Sequence, residues 1–536
     1  MKKIVSASLL AVSLMASTAC NDFLDVNTNP NGPSEKVEPY LYLSPIQSAM
    51  ALGVEYDARY LGKYVQNWVS SSAGDTWDRH GFVSASDASG ELWRNVYWKL
   101  GYNLSDMISK AEEESRWDFV GVGYAIRAWG WQMLTDYHGE IILNEAFDPS
   151  KKVFSYDSQE AVYAEVDRLL TLAITNLERT DGAVTDSNLS KGDLIYGGDR
   201  LKWLKFAYGL RAIHEQHLAN KSSYNPDKVI EYVDKAFTSN SDDATVRFNG
   251  SVNDDTNFFG PKRGNLGSFR QSQFIVSLLD GSNPTFKDPA LTDPQFTDQL
   301  LKDPRLQVML APAPDGQYRG VQPDAGVAAL GAASVRPFNL WNTTVDGTQT
   351  AGTAGKFLFQ DAARFPLMTY AQLQFIKAEA ALLKGDQALA LEAYTNGVKA
   401  HISFVQSYVV NDPSTPVDEV ALFSQRRTAY ENSTVMIPTS PADLTLQKIM
   451  LQKYIAQWGW GFIETWSDLR RYHYSSEVFV GFSLPNTFYP LNNGKPAYRF
   501  RPRYNSEYVW NIEALRTIGG LEDDYHTKEM WFTQPQ

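Results

Sequence analysis

The single cysteine of the chain, Cys20, is the residue whose position most directly predicts chemistry. It follows two lysines, an apolar stretch over residues 4–16 and three small residues, which is the pattern of a secretory signal peptide. One cysteine cannot form an internal disulfide, so a thiol at the cleavage boundary predicts lipid attachment. Each buried CH₂ of an attached alkyl chain adds about 0.8 kcal/mol of membrane affinity. The alternative is ordinary signal cleavage that leaves Cys20 unmodified.

The search for catalytic motifs finds none that is complete. His214 and His217 flank the pair "EQ", one residue short of the spacing that a zinc protease needs. The segment "GTAGKF" around Lys356 lacks both the upstream glycine and the hydroxyl residue of a phosphate-binding loop. No G-x-S-x-G sequence occurs. The sequence therefore predicts no catalytic residue, no metal site and no cofactor.

Three loop segments, over residues 70–82, 260–272 and 336–344, carry side chains suited to bind a neutral polar ligand. Flat aromatic faces cover the apolar C–H faces of sugars or peptide side chains, while a few polar groups fix the orientation. The predicted ligand-binding residues are Asp75, Trp77, Arg79, Phe269, Arg270 and Trp341. For each of them the alternative is a loop side chain that packs back onto the scaffold.

Helices must position these loops, because apolar residues recur at steps of three and four over several long segments. Pro226 begins one such segment, since proline is favoured in the first turn of a helix. The other predicted helices cover residues 122–137, 162–177, 203–213, 373–383 and 391–398. The protein is therefore predicted to be mainly α-helical.

Two of these helices form a predicted hairpin of the tetratricopeptide type around Gly385-Asp386. Ala378, Ala381 and Ala388 have the small-residue spacing that lets two helices approach closely. Tyr394 is predicted to fill the groove between them. Scaffolds of such hairpins present surfaces to partners more often than they carry out chemistry.

The chain divides into a predicted signal peptide over residues 1–19, a lipidated tether over 20–39 and one helical domain over 40–536. Residues 240–365 interrupt the helical pattern with many glycines, prolines and small polar residues. A loop of this length is usually functional or disordered. Its aromatic residues, Trp341 among them, predict that this insertion is ordered.

Charge excludes two classes of partner. The formal net charge is −13, and no basic stripe stands out in the sequence. An acidic protein is a poor candidate to bind nucleic acid or an anionic membrane surface. Membrane attachment is therefore predicted to depend on lipid alone.

The most aromatic segment, residues 452–474, is predicted to be structural. Tyr454, Trp458 and Phe462 recur at helical spacing and are expected in the core. Asp468 and Arg471 are spaced to form an ion pair along the same helix.

Six segments occur in order along more than 440 residues: "CNDFLD" from Cys20, "YDSQEAVYAEV" from Tyr156, "DLIYGGDRLKWLKFAYGLRAI" from Asp193, "DPRL" from Asp303, "RFPLMTYAQLQFIKAEA" from Arg364 and "ETWSDLRRYHY" from Glu464. Together they resemble the SusD/RagB family of nutrient-binding outer-membrane lipoproteins. Residues 139–142 and Gln372 depart from the family pattern, which indicates a divergent branch.

The resemblance implies about four tetratricopeptide-like helix pairs that carry a loop-rich, ligand-facing insertion. It also implies a non-enzymatic protein, lipid-anchored to the outer membrane and exposed at the cell surface. Such a protein would capture oligosaccharides or peptides and pass them to a SusC-like TonB-dependent transporter. Two alternatives stay open: a surface glycoside hydrolase, since 62 acidic residues leave room for a catalytic pair, and a structural adaptor without a small ligand.

Overall fold

The computed structural model describes residues 37–345, 355–411 and 416–535, and these residues are mainly helical. Cys20, the predicted signal peptide and most of the predicted tether lie outside the described residues. The helices α1 to α16 are Pro39–Tyr64, Glu91–Arg94, Tyr102–Glu113, Trp117–His138, Gln159–Glu178, Asp186–Leu189, Arg200–His217, Pro226–Lys235, Gln273–Leu279, Leu306–Met309, Tyr370–Lys384, Gln387–Gln406, Glu419–Asn432, Leu446–Gln457, Phe462–Arg471 and Ile512–Thr517.

Consecutive helices pack as hairpins, which confirms the predicted scaffold. Helix α4 packs on α5, α7 on α8, α11 on α12 and α14 on α15. The pairs join into one body because α5 also contacts α7, and α11 contacts both α8 and α14. The helices predicted from periodicity are all present, and they contribute to one large continuous hydrophobic core.

The hairpin of α11 and α12 shows how local sequence sets these elements. Thr369 and Gln372 form a capping box at the start of α11, so the glutamine that departs from the family pattern serves as a cap. Gly385 ends α11 with φ of 89°, a left-handed conformation that favours glycine. Tyr394 is fully buried between the helices, as predicted. Ala388 is exposed, and the prediction that it sits at the helix contact is wrong.

The insertion contains short elements joined by turns. Three antiparallel strand pairs involve it: β1 (Trp68–Ser70) with β3 (Phe269–Gln271), β2 (Ala244–Val246) with β6 (Phe365–Met368), and β4 (Thr292–Asp293) with β5 (Phe296–Leu300). The β1–β3 pair ties the insertion to the end of α1, because Trp68 follows α1 closely. The described part of the insertion packs its aromatic residues, Trp341 among them, into the main hydrophobic core.

Helix α15 lies in the core, and it buries charged as well as aromatic side chains. Tyr454, Trp458 and Phe462 are all buried, as predicted. The predicted pair of Asp468 and Arg471 is present, with a nitrogen–oxygen distance of 2.7 Å. Across the described residues, no helix combines the length and the apolar character needed to span a bilayer.

Candidate functional site

An aromatic cavity of about 210 Å³, which we call the tyrosine cavity, lies between two segments that are far apart in sequence. One wall comes from the loop after Trp77 and the other from a turn near the end of the chain. Serine side chains and the Arg501 guanidinium supply polar groups. The lining residues are Trp77, Phe82, Val83, Ser84, Ala85, Ser86, Ala88, Ser89, Arg501, Pro502, Tyr504, Tyr508 and Asp523.

Asp87 joins the two walls of the tyrosine cavity. Its carboxylate accepts hydrogen bonds from the backbone N–H of Asn505 at 2.8 Å and from the Asn505 side chain at 2.6 Å, and it pairs with Arg503. On the same loop Ala85 and Ser89 have φ of 54° and 65°. Non-glycine residues rarely adopt this conformation, and such strain concentrates at ligand-binding and catalytic sites.

The tyrosine wall presents two parallel rings. Tyr504 and Tyr508 lie one turn apart in a π-helical segment, and their rings stack with centroids 5.6 Å apart. Both side chains are half-buried, so part of each stays exposed to solvent. Arg501 stacks on the Phe82 ring at 4.0 Å and donates to the Tyr508 hydroxyl. Its buried Nε has no hydrogen-bond partner among the described residues, which leaves one donor free beside the cavity.

The structure places one predicted ligand-binding residue, Trp77, at the tyrosine cavity. Its ring packs on Tyr60 with centroids 4.6 Å apart, and only 6% of the residue is exposed. Asp75 and Arg79 hold the loop that carries Trp77. Asp75 accepts from Lys63 Nζ at 2.8 Å, and Arg79 donates to the carbonyl of Phe488 at 3.0 Å.

The other predicted ligand-binding residues do not line this cavity, and their side chains pack or form hydrogen bonds inside the protein. Phe269 stacks on Trp68, with centroids 6.1 Å apart. Arg270 is fully buried and donates to three carbonyl oxygens, among them that of Val345 at 2.7 Å. Trp341 is 1% exposed, and its indole N–H donates to the Phe259 carbonyl at 2.6 Å. Their roles as ligand contacts stay predictions.

Sequence analysis missed Arg501, Tyr504 and Tyr508, and it included Phe82 only as the last residue of the loop over residues 70–82. The pair of tyrosines four residues apart is visible in the sequence. Nothing in the sequence, however, shows that this turn meets a loop more than 400 residues earlier in the chain.

The tyrosine cavity lacks the paired carboxylates that glycoside hydrolysis requires. Asp523 is the one acidic residue that lines it, among the residues the structure describes. The arrangement therefore suits binding: aromatic rings cover apolar faces, and hydroxyl and guanidinium groups make hydrogen bonds.

A group of metal-ligand type occurs in the core, away from the tyrosine cavity. Asp136, His217 and Glu464 are buried, and one ligand atom from each lies within 4.8 Å of the others. His217 Nδ1 lies 3.1 Å from Asp136 and Nε2 lies 3.2 Å from Glu464. Because the ring turns a different nitrogen to each carboxylate, the arrangement fits an imidazolium between two anions. A single ion could not take the His217 nitrogen and both carboxylates without moving the ring.

A scaffold of helical hairpins with an aromatic cavity built from loops is the architecture of a ligand-binding protein. The chain belongs to the SusD-like family, since the family model described as "Starch-binding associating with outer membrane" matches residues 30–501. This confirms the resemblance seen in the sequence motifs.

Solved structures of the family share the fold at low identity. A SusD/RagB family protein from Bacteroides thetaiotaomicron is 21% identical with a TM-score of 0.64, and 93% of this chain and 100% of that chain are covered. A SusD homologue from Bacteroides fragilis is 18% identical with a TM-score of 0.66, and the match covers 92% of this chain and 100% of that chain. A chitin-binding SusD homologue from Flavobacterium johnsoniae is 18% identical with a TM-score of 0.63, and the match covers 93% of this chain and 99% of that chain. No protein of curated function matches this chain.

Proposed function

We propose that this protein binds oligosaccharides at the surface of the outer membrane and does not cleave them. The observation that carries the proposal is the stacked pair of Tyr504 and Tyr508, which shares a cavity with Trp77. A ring face of this pair that is not covered by its neighbour suits the C–H face of a sugar ring, and the adjacent hydroxyl and guanidinium groups suit sugar hydroxyls. The family description and the chitin-binding relative support a glycan over a peptide.

Two further parts of the proposal concern the attachment of the protein to the membrane and the transporter that receives the bound sugar. Lipid on Cys20 would anchor the acidic domain to the outer membrane. The bound oligosaccharide would then pass to a SusC-like TonB-dependent transporter, with which the protein would associate. The family's description as outer-membrane associating supports the first part. Recovery of a barrel protein with this chain from detergent-solubilised outer membranes would support the second, and recovery of the chain alone would count against it.

Calorimetric titration of the purified protein with maltooligosaccharides and chitooligosaccharides tests the binding proposal. We expect saturable binding of at least one neutral series, with no shortened products after prolonged incubation. Shortened products would favour the glycoside hydrolase. The absence of binding to every oligosaccharide tried would favour the adaptor without a small ligand.

A further inference from the structure

A second and larger cavity, of about 910 Å³, lies on the insertion and not at the tyrosine cavity. Its walls come from the start of α7, the segment after β2, the segment before β6 and the end of α12. We call it the arginine cavity. The charged residues that line it are Asp193, Lys202, Asp243, Arg247, Asp255 and Arg364.

Arg247 and Arg364 both line this cavity, and each lies directly beside a strand end. The antiparallel register of β2 and β6 pairs Val246 with Phe365. Arg247 follows β2 and Arg364 precedes β6, so the same register continued by one residue sets the two arginines opposite one another. Directly opposite residues on such strands lie about 5 Å apart, and like charges there repel. Both side chains are exposed, and neither forms an ion pair or hydrogen bond with a described residue. The pair therefore has the geometry of a site that is completed by an anion.

The carboxylates in the arginine cavity do not neutralise this pair. Asp193 is buried, and it accepts hydrogen bonds from Gln47 at 2.9 Å and from the Trp203 indole at 2.9 Å. Burial raises the pKa of Asp243 to about 8, so this carboxyl is mostly uncharged at neutral pH. The formal balance at the cavity is therefore two carboxylates, Asp193 and Asp255, against the three cations Lys202, Arg247 and Arg364. This positive region stands out on a chain of net charge −13.

Aromatic rings line the same cavity. Phe404 and Tyr408 are half-buried on the last turn of α12 and just beyond it, with ring centroids 5.6 Å apart. A simple inorganic anion site has no need of such rings. A sugar ring that carries an acidic group would use both features, because its C–H face packs on an aromatic ring while its carboxylate meets a guanidinium.

We propose that the arginine cavity binds an acidic oligosaccharide, with a hexuronate carboxylate held between Arg247 and Arg364. The inference rests on the proposed oligosaccharide-binding function and adds a second, charge-selective site to it. Bidentate contact of carboxylate with arginine gives the selectivity, since neutral sugars lack the charge that offsets the repulsion of the pair.

Titration with tetragalacturonate and with a neutral tetrasaccharide, on the purified full-length protein at low and moderate salt, tests this site. We expect Arg247→Gln and Arg364→Gln each to weaken tetragalacturonate binding about tenfold or more, as loss of a charge-assisted hydrogen bond predicts. The neutral tetrasaccharide is expected to bind the variants as it binds the native protein. Lys152→Gln is the matched control, because it removes one exposed charge that does not line either cavity.

Thermal unfolding of the same variants shows whether a loss of affinity comes from loss of the fold. Because each substitution relieves like-charge repulsion, the melting temperature without ligand is expected to hold or rise while affinity falls.

Unchanged tetragalacturonate binding in both variants would overturn the proposal. Inorganic sulfate that competes with tetragalacturonate at equal concentration would also overturn it, because the site would then select charge and not sugar. Binding of neutral sugars alone would overturn this inference and leave the proposed function standing, whereas binding of no sugar would overturn both.

Discussion

His217 and Asp136 form a buried ion pair in the core, with 3.1 Å between Nδ1 and the carboxylate oxygen. The other ring nitrogen of His217 lies 3.2 Å from Glu464. Burial lowers the pKa of His217, but the two carboxylates outweigh this effect and raise it to about 9. Tyr163 completes the group, because its hydroxyl donates to Asp136 at 2.6 Å. Gln132 of α4 also donates to Asp136, at 2.6 Å, so charge and hydrogen bonds together join helices α4, α5, α7 and α15.

The raised pKa of His217 predicts a loss of stability at alkaline pH. Its contribution is fully present below the ordinary value of 6.5 and is lost as the pH rises through about 9. The shift corresponds to a stabilisation on the order of 3 kcal/mol. We expect His217→Gln to lower the free energy of unfolding by about 3 kcal/mol at pH 6 and by much less at pH 10, measured in urea.

Two controls isolate the contribution of this histidine. Burial raises the pKa values of Glu55 and Asp57 to about 8 and 7, so the native protein also loses stability as the pH rises from about 4 to about 8, which overlaps the lower part of the His217 range. The difference between native protein and variant removes that contribution. His473→Gln removes an exposed histidine by the same substitution and serves as the matched control. A His217→Gln effect that is constant from pH 6 to pH 10 would contradict the charged state of this residue.

The accessible tyrosine of the cavity predicts a loss of ligand affinity without loss of fold. Tyr504→Ala removes a ring that stacks on Tyr508 and is half-buried. Stacking of a sugar on an aromatic ring contributes about 1 kcal/mol, so oligosaccharide affinity is expected to fall about fivefold or more by calorimetry. Tyr232→Ala is the matched control, since Tyr232 stacks on Tyr208 on the helical surface. Equal affinity for both variants would move the ligand to another site.

Sequence periodicity predicts the helices of this fold because each buries a long apolar face. The cap residues Thr369 and Gly385 act within a few residues, so the local sequence is sufficient to place them. The pair of Asp468 and Arg471 is likewise local. Glu379, the second partner of Arg471, comes from α11, and its contact depends on how the hairpins pack. Sequence alone therefore predicts the elements and the contacts within them better than the contacts between them.

The candidate site is harder to predict from the sequence, because it too depends on contacts between distant segments. An aromatic residue in a polar loop is as suited to pack against the protein interior as to contact a ligand. Trp341 is buried, and its indole N–H donates to the carbonyl of Phe259. Trp77 lines the cavity, but the opposite wall comes from Tyr504 and Tyr508. Two segments separated by most of the chain meet there through Asp87. No periodicity or motif indicates that long-range contact.

The contact of Asp87 with the tyrosine wall predicts that the cavity depends on this carboxylate. Asp87→Ala removes the acceptor for the Asn505 N–H and for Arg503, so the two walls lose their direct connection. A looser site must be ordered when ligand binds, which lowers affinity. We expect oligosaccharide affinity to fall about threefold to tenfold by calorimetry, with a change in melting temperature of only a few degrees. A normal affinity would show that the loop is held by other contacts.

The geometry of Arg471 predicts that lysine is a poor replacement for it. Two guanidinium nitrogens contact the Glu379 carboxylate at 2.9 and 3.2 Å, and one of them also contacts Asp468 at 2.7 Å. A lysine has one charged nitrogen and cannot make the paired contact. Arg471→Lys is expected to lower the free energy of unfolding by about 2 kcal/mol in urea.

Arg168→Lys provides the comparison for that substitution. Arg168 makes the same two-nitrogen contact with Glu165, at 2.7 and 2.8 Å, but its side chain is 58% exposed. Exposed ion pairs contribute about 0–1 kcal/mol, so this variant is expected to unfold within about 0.5 kcal/mol of the native protein. Equal losses in both variants would mean that burial adds nothing to the Arg471 contacts.

The proposed membrane attachment through Cys20 predicts a complete change of location from one substitution. A thioether-linked diacylglycerol, with a further acyl chain on the new amino terminus, would supply the several alkyl chains that stable anchoring requires. The chain's net charge of −13 offers no electrostatic attraction to anionic lipid as a substitute. We therefore expect Cys20→Ala to take up no labelled fatty acid and to be recovered with the soluble fraction of broken cells. Asn21→Ala, one residue further along, is the control and should stay in the envelope. An unlabelled Cys20→Ala protein that remains in the envelope would show that a partner protein, and not lipid, holds the chain there.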